Sequence, residues 1–276
     1  MAGLKKPRVS IVMSVYNFNR SHMQGIESML SQSMEDFEFI LVDDGSNEQT
    51  RKRLEEYANS DSRITLIVNE KRLRLASSLN RAIRRARTDY IARADVNISY
   101  HVDRLRIQYE FIEKHPAIHI LGSNFYWGID GQNGVTQIVM PHTHEEIIKR
   151  MSFGCSICHP SVVYRKNRLM PYGPYQEGFG WGEDYHLWMR VRDKMQFHNL
   201  QAVLLTKWHR PEPWKGRIEL SRFGYFKGEL QSRMAGLFTS PSIWIDITSF
   251  PMVFMSFISE TWLHDLFKFL KRIAER

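Results

Sequence analysis

The order of apolar and polar positions in the first third of the chain alternates between strand-like and helix-like patterns. Runs of consecutive apolar residues are typical of strands buried on both faces, whereas apolar residues three or four positions apart are typical of amphipathic helices. The runs predict four strands, at residues 9–15, 37–42, 64–68 and 90–92. The spaced pattern predicts three helices between them, at residues 22–32, 47–58 and 75–86. This alternation predicts an α/β fold with a parallel sheet and right-handed crossovers.

The second half of the chain has a less regular pattern. It predicts helices at residues 104–115, 144–151 and 185–191 and strands at residues 118–123 and 161–165. Glycines predict a turn at residues 128–131 and a shaped, aromatic loop at residues 178–182. The residue pattern then changes, which predicts one domain that spans residues 1–215 and a helical extension that spans residues 216–276.

Short polar side chains follow two of the predicted strands. Asp43 and Asp44 come at the end of the second strand, and Asp95 and Asn97 follow the fourth. Because ligands of parallel sheets bind at the carboxyl ends of the strands, we expect both groups at one cleft edge. The sequence after the first strand has neither of the glycine-rich phosphate-binding motifs. A phosphate beside these acidic groups would therefore need a cation, and their oxygens suit Mg²⁺ or Mn²⁺.

A second acidic pair, Glu183 and Asp184, lies where an apolar helix is predicted to begin. Acidic residues stabilise the positive end of a helix, so the pair could be a helix cap. The pair could equally supply a carboxylate base on the floor of a cleft. The sequence pattern at this position does not distinguish the two interpretations.

The two cysteines belong to the sequence Cys155-Ser-Ile-Cys158-His159. This spacing matches haem attachment and also a dithiol redox pair. Haem attachment requires export, and the basic N-terminus has no apolar stretch of signal-peptide length. We therefore expect a chance match within a buried strand and a protein of the reducing cytosol.

The net charge of +8 indicates an anionic partner or a generally basic surface. Nucleotide phosphates, acidic lipids and nucleic acids are the candidate partners. The chain has no interleaved basic and aromatic recognition module, and its acidic strand ends argue against nucleic acid.

Six motifs in a fixed order carry a family resemblance over roughly residues 8–210. They are Val9-Ser-Ile-Val-Met-Ser-Val-Tyr-Asn17, Val42-Asp-Asp-Gly-Ser46, Ile91-Ala-Arg-Ala-Asp95, His101-Val-Asp-Arg-Leu105, His159-Pro-Ser-Val-Val163 and Gly182-Glu-Asp-Tyr-His-Leu-Trp188. Together they resemble glycosyltransferase family 2, which has the GT-A nucleotide-sugar-binding fold, a Rossmann-like, mostly parallel sheet flanked by helices. The resemblance implies transfer of a sugar from a nucleoside diphosphate sugar with inversion at the anomeric carbon.

The resemblance also implies roles for individual residues. Asp184 matches the general base that deprotonates the acceptor hydroxyl, and Glu183 is its catalytic neighbour. A divalent cation would stabilise the departing diphosphate. The residues that match the donor-nucleotide site are Ser14, Tyr16, Asn17, Asp43, Asp44, Arg93 and Asp95. The residues assigned to the metal are Asp95, Asn97 and His209.

Asn97 departs from the family pattern, because the second carboxylate of the D-x-D motif is an amide here. An amide oxygen can ligate a cation but brings no charge, which would weaken metal binding by a few kcal/mol, or about two decades in affinity. The diphosphate could instead hold most of the metal, as is common for Mg²⁺. Val102 also departs from the pattern, since the family often has proline there.

Two features near the C-terminus each allow two interpretations. His209 could reach back to the metal or diphosphate, or it could be structural. The predicted helix over residues 261–276 places aromatic and aliphatic side chains opposite Lys268, Lys271, Arg272 and Arg276. That arrangement favours contact with an acidic membrane surface, and a packed subdomain or dimer contact is the alternative.

The sequence therefore predicts a hexosyltransferase-type enzyme of the cytoplasm, peripheral on the inner face of the cytoplasmic membrane. Its donor would be a nucleoside diphosphate sugar, with a UDP-sugar favoured. Its acceptor would be a glycan or lipid-linked glycan in surface-polysaccharide or lipopolysaccharide assembly. The main alternative is a weakened or inactive member that binds sugar nucleotide as a scaffold.

Overall fold

The computed structural model describes residues 6–18, 23–129, 133–151, 154–178 and 182–209. These residues form one nine-stranded mixed sheet with helices packed against it. The strands are β1 (Val9–Val15), β2 (Phe37–Asp43), β3 (Ile64–Val68), β4 (Tyr90–Arg93), β5 (Ile98–Tyr100), β6 (Ile120–Ile129), β7 (Val135–Ile138), β8 (Val163–Arg165) and β9 (Phe197–His209). The helices are α1 (Gln24–Leu30), α2 (Glu48–Ser60), α3 (Leu75–Arg85), α4 (Arg104–Lys114), α5 (His144–Met151), α6 (Lys166–Leu169) and α7 (Glu183–Val191).

The first four strands form the parallel half of the sheet, in the order β3-β2-β1-β4. Alternate residues of β1 enter two separate cores, with Ile11 and Met13 on one face and Val12 on the other. Burial on both faces explains why these strands are continuous apolar runs. Their carboxyl ends meet at one edge, which confirms that the Asp43 and Asp95 segments share an edge of the sheet.

The second half of the sheet continues as β8-β6-β9-β5, with β7 paired to β6. The sequence pattern did not predict β5, β7 or β9. The 13-residue strand β9 is polar at several positions and pairs with both β6 and β5, so long-range pairing rather than local apolar content defines it.

Two predictions for this half were wrong in detail. Gly128 lies within β6 rather than in a turn, where it pairs with Trp208, and glycine is required because a Cβ would be 2.7 Å from the Trp208 ring. The strand predicted at 161–165 begins only at Val163, after a 3-10 turn over His159–Ser161. Proline at position 160 favours that turn, since it presets the backbone of the first helical residues.

Within the described ranges, no helix combines the length and the apolar character that crossing a bilayer requires. The predicted extension over residues 216–276, including the amphipathic helix at 261–276, lies outside the described residues. The domain boundary at residue 215 also lies outside them, as do residues 179–181 of the loop that precedes α7.

Candidate active site

Four segments converge on the predicted catalytic pair at the start of α7. They are the turn after β4, the 3-10 turn at His159, the loop that carries Tyr175, and β9 at Lys207. Asp184 Oδ2 lies 3.9 Å from His159 Nδ1 and 3.9 Å from Cys155 Sγ, while Arg93 and Lys207 act on Asp184 through their charges. His159 Nε2 lies 2.7 Å from the hydroxyl of Tyr175. Residues that are distant in sequence therefore form one polar cluster around Asp184 and His159.

The turn after β4 carries an ion pair between Arg93 and Asp95. Arg93 is buried, with 2% of its side chain exposed, whereas the Asp95 side chain is 28% exposed. Burial acts to lower the pKa of Arg93, but the charge of Asp95 outweighs it and raises that pKa above the ordinary value. The Nε of Arg93 has no hydrogen-bond partner within the described part of the chain. The site therefore contains a permanent buried cation with one unused donor.

The backbone of the same turn is held against α1. The backbone N–H of Gly25 donates to the carbonyl of Val96 at 3.0 Å, and a Cβ on Gly25 would lie 2.6 Å from that oxygen. The backbone N–H of Asp95 lies 2.7 Å from the hydroxyl of Tyr100. Glycine at position 25 is therefore required for this close approach, and the turn has a defined position.

Asp95 and Asn97 both present oxygens at this turn, with Asn97 exposed. Hard oxygen donors from one or two side chains suit Mg²⁺ or Mn²⁺, which take their remaining ligands from water and phosphates. The donor set therefore fits a divalent cation held jointly with a diphosphate. His209, the third predicted ligand, is the last residue of β9 and pairs with Ile129, and its side chain lies outside the described structure.

The carboxylates of Asp43 and Asp44 are buried and bonded within the protein. Asp43 accepts from the backbone N–H of Ser46 at 2.8 Å and pairs with Arg51 at 3.0 Å. Asp44 accepts hydrogen bonds from four donors at 2.7–2.9 Å: Asn69 Nδ2, Leu73 N, Arg74 N and Ser78 Oγ. Both residues thus organise the loop beside the predicted nucleotide pocket, and direct contact with the donor stays a prediction.

The segment after β1 reaches the same edge of the sheet. Ser14 is half-buried near the end of β1, and Tyr16 is 41% exposed with the guanidinium of Arg72 3.9 Å from its ring centroid. Asn17 has a positive φ of 47° and bonds to the loop after β2, where its Oδ1 accepts from the Asn47 N–H at 2.8 Å. An exposed aromatic ring beside a cation is a suitable surface for a nucleotide base.

Glu183 and Asp184 occupy the first turn of α7, after Gly182 in the left-handed conformation. Burial raises the pKa of Glu183 to about 7, and the neighbouring Asp184 adds to the rise. Burial also raises the pKa of Asp184, while a hydrogen bond from the Tyr185 N–H and the charge of Arg93 offset part of the rise. The Asp184 side chain retains 20% exposure, so it is the more accessible member of the pair. The pair therefore lies in the first turn of α7, where acidic residues are favourable, although the N-cap itself is Gly182; the catalytic interpretation stays a prediction.

His159, which the sequence favours as a packed strand-edge histidine over a site residue, lies instead in a 3-10 turn beside Asp184. Burial, with help from the charges of Arg93 and Lys207, holds the pKa of His159 well below its ordinary value, so the imidazole is neutral at pH 7. Its contact with Asp184 is therefore one between a neutral ring and a carboxylate. One ligand-type atom from each of His159, Glu183 and Asp184 lies within 4.8 Å of the others.

The cysteines next to His159 are free thiols. Burial raises the pKa of Cys155 well above its ordinary value and that of Cys158 to about 11. Reactive dithiols have lowered pKa values, so this environment is the opposite of a redox site. The two nitrogens of His159 face Tyr175 and Asp184. The expectation of a buried strand was wrong here, because both cysteines lie in the irregular segment before the 3-10 turn.

Lys207 and Tyr175 are two further residues of the site that sequence reasoning missed. Lys207 lies on β9 with its Nζ 5.5 Å from the ring centroid of Trp127, and its charge offsets the pKa rise that burial causes in Asp184. Tyr175 is buried and lies in a loop without regular structure. Neither belongs to a recognisable motif, so only the spatial arrangement shows that they belong to the site.

The fold and this cluster agree with one family. Residues 10–179 match the family described as glycosyl transferase family 2, and the chain belongs to that family. It is 34% identical over 206 residues to the putative glycosyltransferase EpsE of Bacillus subtilis, covering 72% of each chain. It is 29% identical over 197 residues to the UDP-Glc:alpha-D-GlcNAc-diphosphoundecaprenol beta-1,3-glucosyltransferase WfgD of Escherichia coli, covering 71% of this chain and 72% of that one. The protein is therefore a glycosyltransferase.

Solved structures confirm the fold. S. aureus TarS in complex with UDP-GlcNAc has a TM-score of 0.71 at 18% identity, covering 92% of this chain and 73% of that one. The mannosyltransferase PcManGT from Pyrobaculum calidifontis, in complex with GDP-Man and Mn2+, has a TM-score of 0.59 at 14% identity, covering 98% and 81%. Both likenesses concern the architecture and confirm the predicted GT-A fold.

Proposed function

We propose that this glycosyltransferase moves a sugar from a nucleoside diphosphate sugar, preferably a UDP-sugar, to a hydroxyl of a glycan or lipid-linked glycan, with inversion. The observation that carries the proposal is the position of Asp184, a carboxylate with a raised pKa that remains accessible beside the Arg93–Asp95 turn. The names of two similar proteins support the donor class, since one is a UDP-Glc-dependent transferase and the other binds UDP-GlcNAc.

In this proposal Asp184 is the general base. A sugar hydroxyl is a poor nucleophile at neutral pH, so it needs a base within hydrogen-bond reach while it attacks the anomeric carbon. Because burial raises the pKa of Glu183 to about 7, Glu183 holds a proton below that pH, and the more accessible Asp184 carries the negative charge. The proton of the acceptor hydroxyl then passes to Asp184 as the new glycosidic bond forms.

The leaving diphosphate would lie over the turn after β4. Asp95 and Asn97, with His209 as a third candidate, would hold a divalent cation, which when bound stabilises the negative charge of the departing diphosphate. Arg93 adds a positive charge that does not depend on the metal, and its Nε remains available as a donor. Ser14, Tyr16, Asn17, Asp43 and Asp44 would form or support the nucleotide pocket.

The second candidate function is sugar-nucleotide binding without efficient transfer. The amide at Asn97 favours it, because the metal loses one charged ligand there. The cluster around Asp184 favours catalysis instead, since a scaffold would have no need for a partly buried carboxylate with a raised pKa that solvent can still reach. Turnover measured with added Mn²⁺ or Mg²⁺ separates the two functions.

A lipid-linked acceptor would place the enzyme at the inner face of the cytoplasmic membrane. The name of the WfgD relative includes a diphosphoundecaprenol acceptor, which supports this part of the proposal. Removing residues 261–276 should reduce co-sedimentation with vesicles that contain anionic phosphatidylglycerol. Unchanged sedimentation would contradict a membrane role for that segment.

The first experiment measures donor binding and turnover separately. UDP-, GDP-, CDP- and dTDP-sugars are screened by thermal shift with and without Mn²⁺, because a ligand of the folded state raises its apparent stability. Asp184→Asn is then compared with the unsubstituted enzyme on the best donor. We expect unchanged donor binding and a loss of turnover of roughly 100-fold or more. Normal turnover in Asp184→Asn would remove Asp184 as the base.

A further inference from the structure

His159 and Tyr175 form a buried pair next to the proposed base. His159 Nε2 lies 2.7 Å from the Tyr175 hydroxyl, and both side chains are buried. Asn80 on α3 fixes the Tyr175 backbone through two hydrogen bonds of 2.8 and 3.0 Å. Trp188 of α7 presents its ring edge to His159 at a centroid distance of 6.3 Å. The imidazole is therefore held on two sides and has a defined orientation.

This orientation determines which ring nitrogen carries the proton. Nδ1 lies 3.9 Å from Asp184 Oδ2, and an ionised carboxylate only accepts hydrogen bonds. A lone pair on Nδ1 would face that negative charge, whereas an N–H would be attracted to it. If Nδ1 carries the hydrogen, Nε2 is the acceptor for the Tyr175 hydroxyl. Burial raises the pKa of Tyr175 well above its ordinary value, so its hydroxyl is protonated and can donate.

We propose that His159 is a positioning residue for Asp184 and that Tyr175 fixes its Nδ1–H tautomer. The neutral ring directs an N–H dipole at Asp184 Oδ2, which orients the carboxylate and favours its ionised form. At 3.9 Å, His159 Nδ1 and Asp184 Oδ2 are too far apart for a full hydrogen bond, and we expect this distance to shorten when the acceptor binds. This inference rests on the proposed role of Asp184 as base.

Other titratable groups also act on Asp184, from two strands, from its own helix and from the segment that carries Cys155. Arg93 of β4 and Lys207 of β9 favour its ionised form, while Glu183 in the same helical turn is coupled to it. The Cys155 thiol, 3.9 Å away, is protonated because burial raises its pKa. His159 differs from all of them because it alone is bonded to a second buried side chain that sets its direction.

The test compares two substitutions at position 159. His159→Phe keeps a ring against Trp188 but has no N–H, whereas the amide nitrogen of Asn in His159→Asn is as many bonds from Cα as Nδ1. We expect His159→Phe to lower kcat roughly 10- to 100-fold with little change in the donor KM. The acidic limb of its kcat/KM profile should move to higher pH. His159→Asn should recover part of both effects.

Tyr175→Phe tests the tautomer, and Tyr164→Phe is its matched control. The Tyr164 hydroxyl is also buried but has no hydrogen-bond partner within the described residues. Tyr175→Phe should shift the acidic limb in the same direction as His159→Phe, while Tyr164→Phe should leave kcat and the limb unchanged.

A purely structural role predicts a different outcome. Both His159 variants would then lose thermal stability in proportion to activity, and the acidic limb of the kcat/KM profile would stay at the same pH. That result would overturn the inference. Loss of Mn²⁺ or Mg²⁺ affinity in His159→Phe would overturn it too, since the cluster would then hold a cation. Full turnover in Asp184→Asn would instead remove the proposed role of Asp184 as base, so the two failures are distinguishable.

Discussion

The guanidinium of Arg93 and the carboxylate of Asp95 form an ion pair in which the cation is buried and the anion is partly exposed. The pair lies at the end of β4, where the family motif predicts metal and diphosphate binding. Asp95 therefore already has one positive partner before any metal binds. This arrangement reduces the charge that Asp95 offers to a cation and gives the site a second means of stabilising a diphosphate.

Substitution of Arg93 by methionine tests whether the charge of Arg93 helps to stabilise the departing diphosphate. Arg93→Met keeps the length of the side chain but removes its charge, so diphosphate departure should slow and turnover should fall at least tenfold. Because Asp95 can be solvated when its partner is lost, the free energy of unfolding should change by only about 1 kcal/mol. Steady-state kinetics and urea denaturation measure the two quantities. A large loss of stability with normal turnover per folded molecule would assign Arg93 a structural role instead.

Asn97→Asp restores the second carboxylate of the motif. If Asn97 faces the cation, the added charge should tighten Mn²⁺ binding about 10- to 100-fold in the presence of UDP, which calorimetry measures directly. Asn167→Asp is the matched control, because Asn167 is exposed and bonds to Asp89, which precedes β4 at the opposite edge of the sheet. Equal metal affinity in both variants would place Asn97 outside the metal's ligands.

Glu183→Gln should change the pH dependence of stability. The folded-state pKa of Glu183, about 7, is above the ordinary value of 4.5. The protonated form thus favours the folded state, and this advantage is lost as the pH rises from 4.5 through 7. Glutamine stays neutral, so the variant should unfold with a free energy up to about 3 kcal/mol higher than the unsubstituted protein at pH 8, with little difference at pH 4.5. Denaturant titrations at both pH values measure this difference.

Glu145→Gln provides the control for that experiment. Glu145 also lies in the first turn of a helix, α5, but it is exposed, and backbone and side-chain hydrogen bonds lower its pKa. Its ionised form favours folding, so its replacement should lower stability at pH 8, the opposite sign to Glu183→Gln. If both variants changed the unfolding free energy at pH 8 in the same direction, burial would not be the cause of the raised pKa of Glu183.

Asp44→Asn should destabilise the protein. The Asp44 carboxylate accepts from four donors, and an amide offers only one acceptor oxygen in its place. Leaving buried donors unsatisfied should cost about 2–4 kcal/mol of unfolding free energy, measured by chemical denaturation. Glu70→Gln, in the same loop but exposed, should be neutral. Weaker UDP-sugar binding at unchanged stability would show a direct ligand role for Asp44 instead.

The sequence predicted the strands that local composition defines and missed those that pairing defines. β1 and β2 are continuous apolar runs because they are buried on both faces. β5 has only three residues and pairs with β9, and β9 is polar at several positions and pairs with β5 and β6, so long-range pairing defines both strands. Local patterns cannot report such pairing, since strand preference depends strongly on the neighbours that a strand acquires.

The same division applies to the site. By itself the sequence determined the family, the GT-A fold and the candidate residues that lie in ordered motifs, including Asp95 and Asp184, because these depend on residue type and spacing along the chain. Only the tertiary structure decided that Asp44 is saturated by internal donors, that Arg93 neutralises Asp95, and that His159 joins Tyr175 to Asp184. Burial and spatial proximity create those relationships. Sheet pairing likewise joins segments that are far apart in sequence, such as β5 and β9 at Tyr100↔Leu205, and no local pattern encodes it.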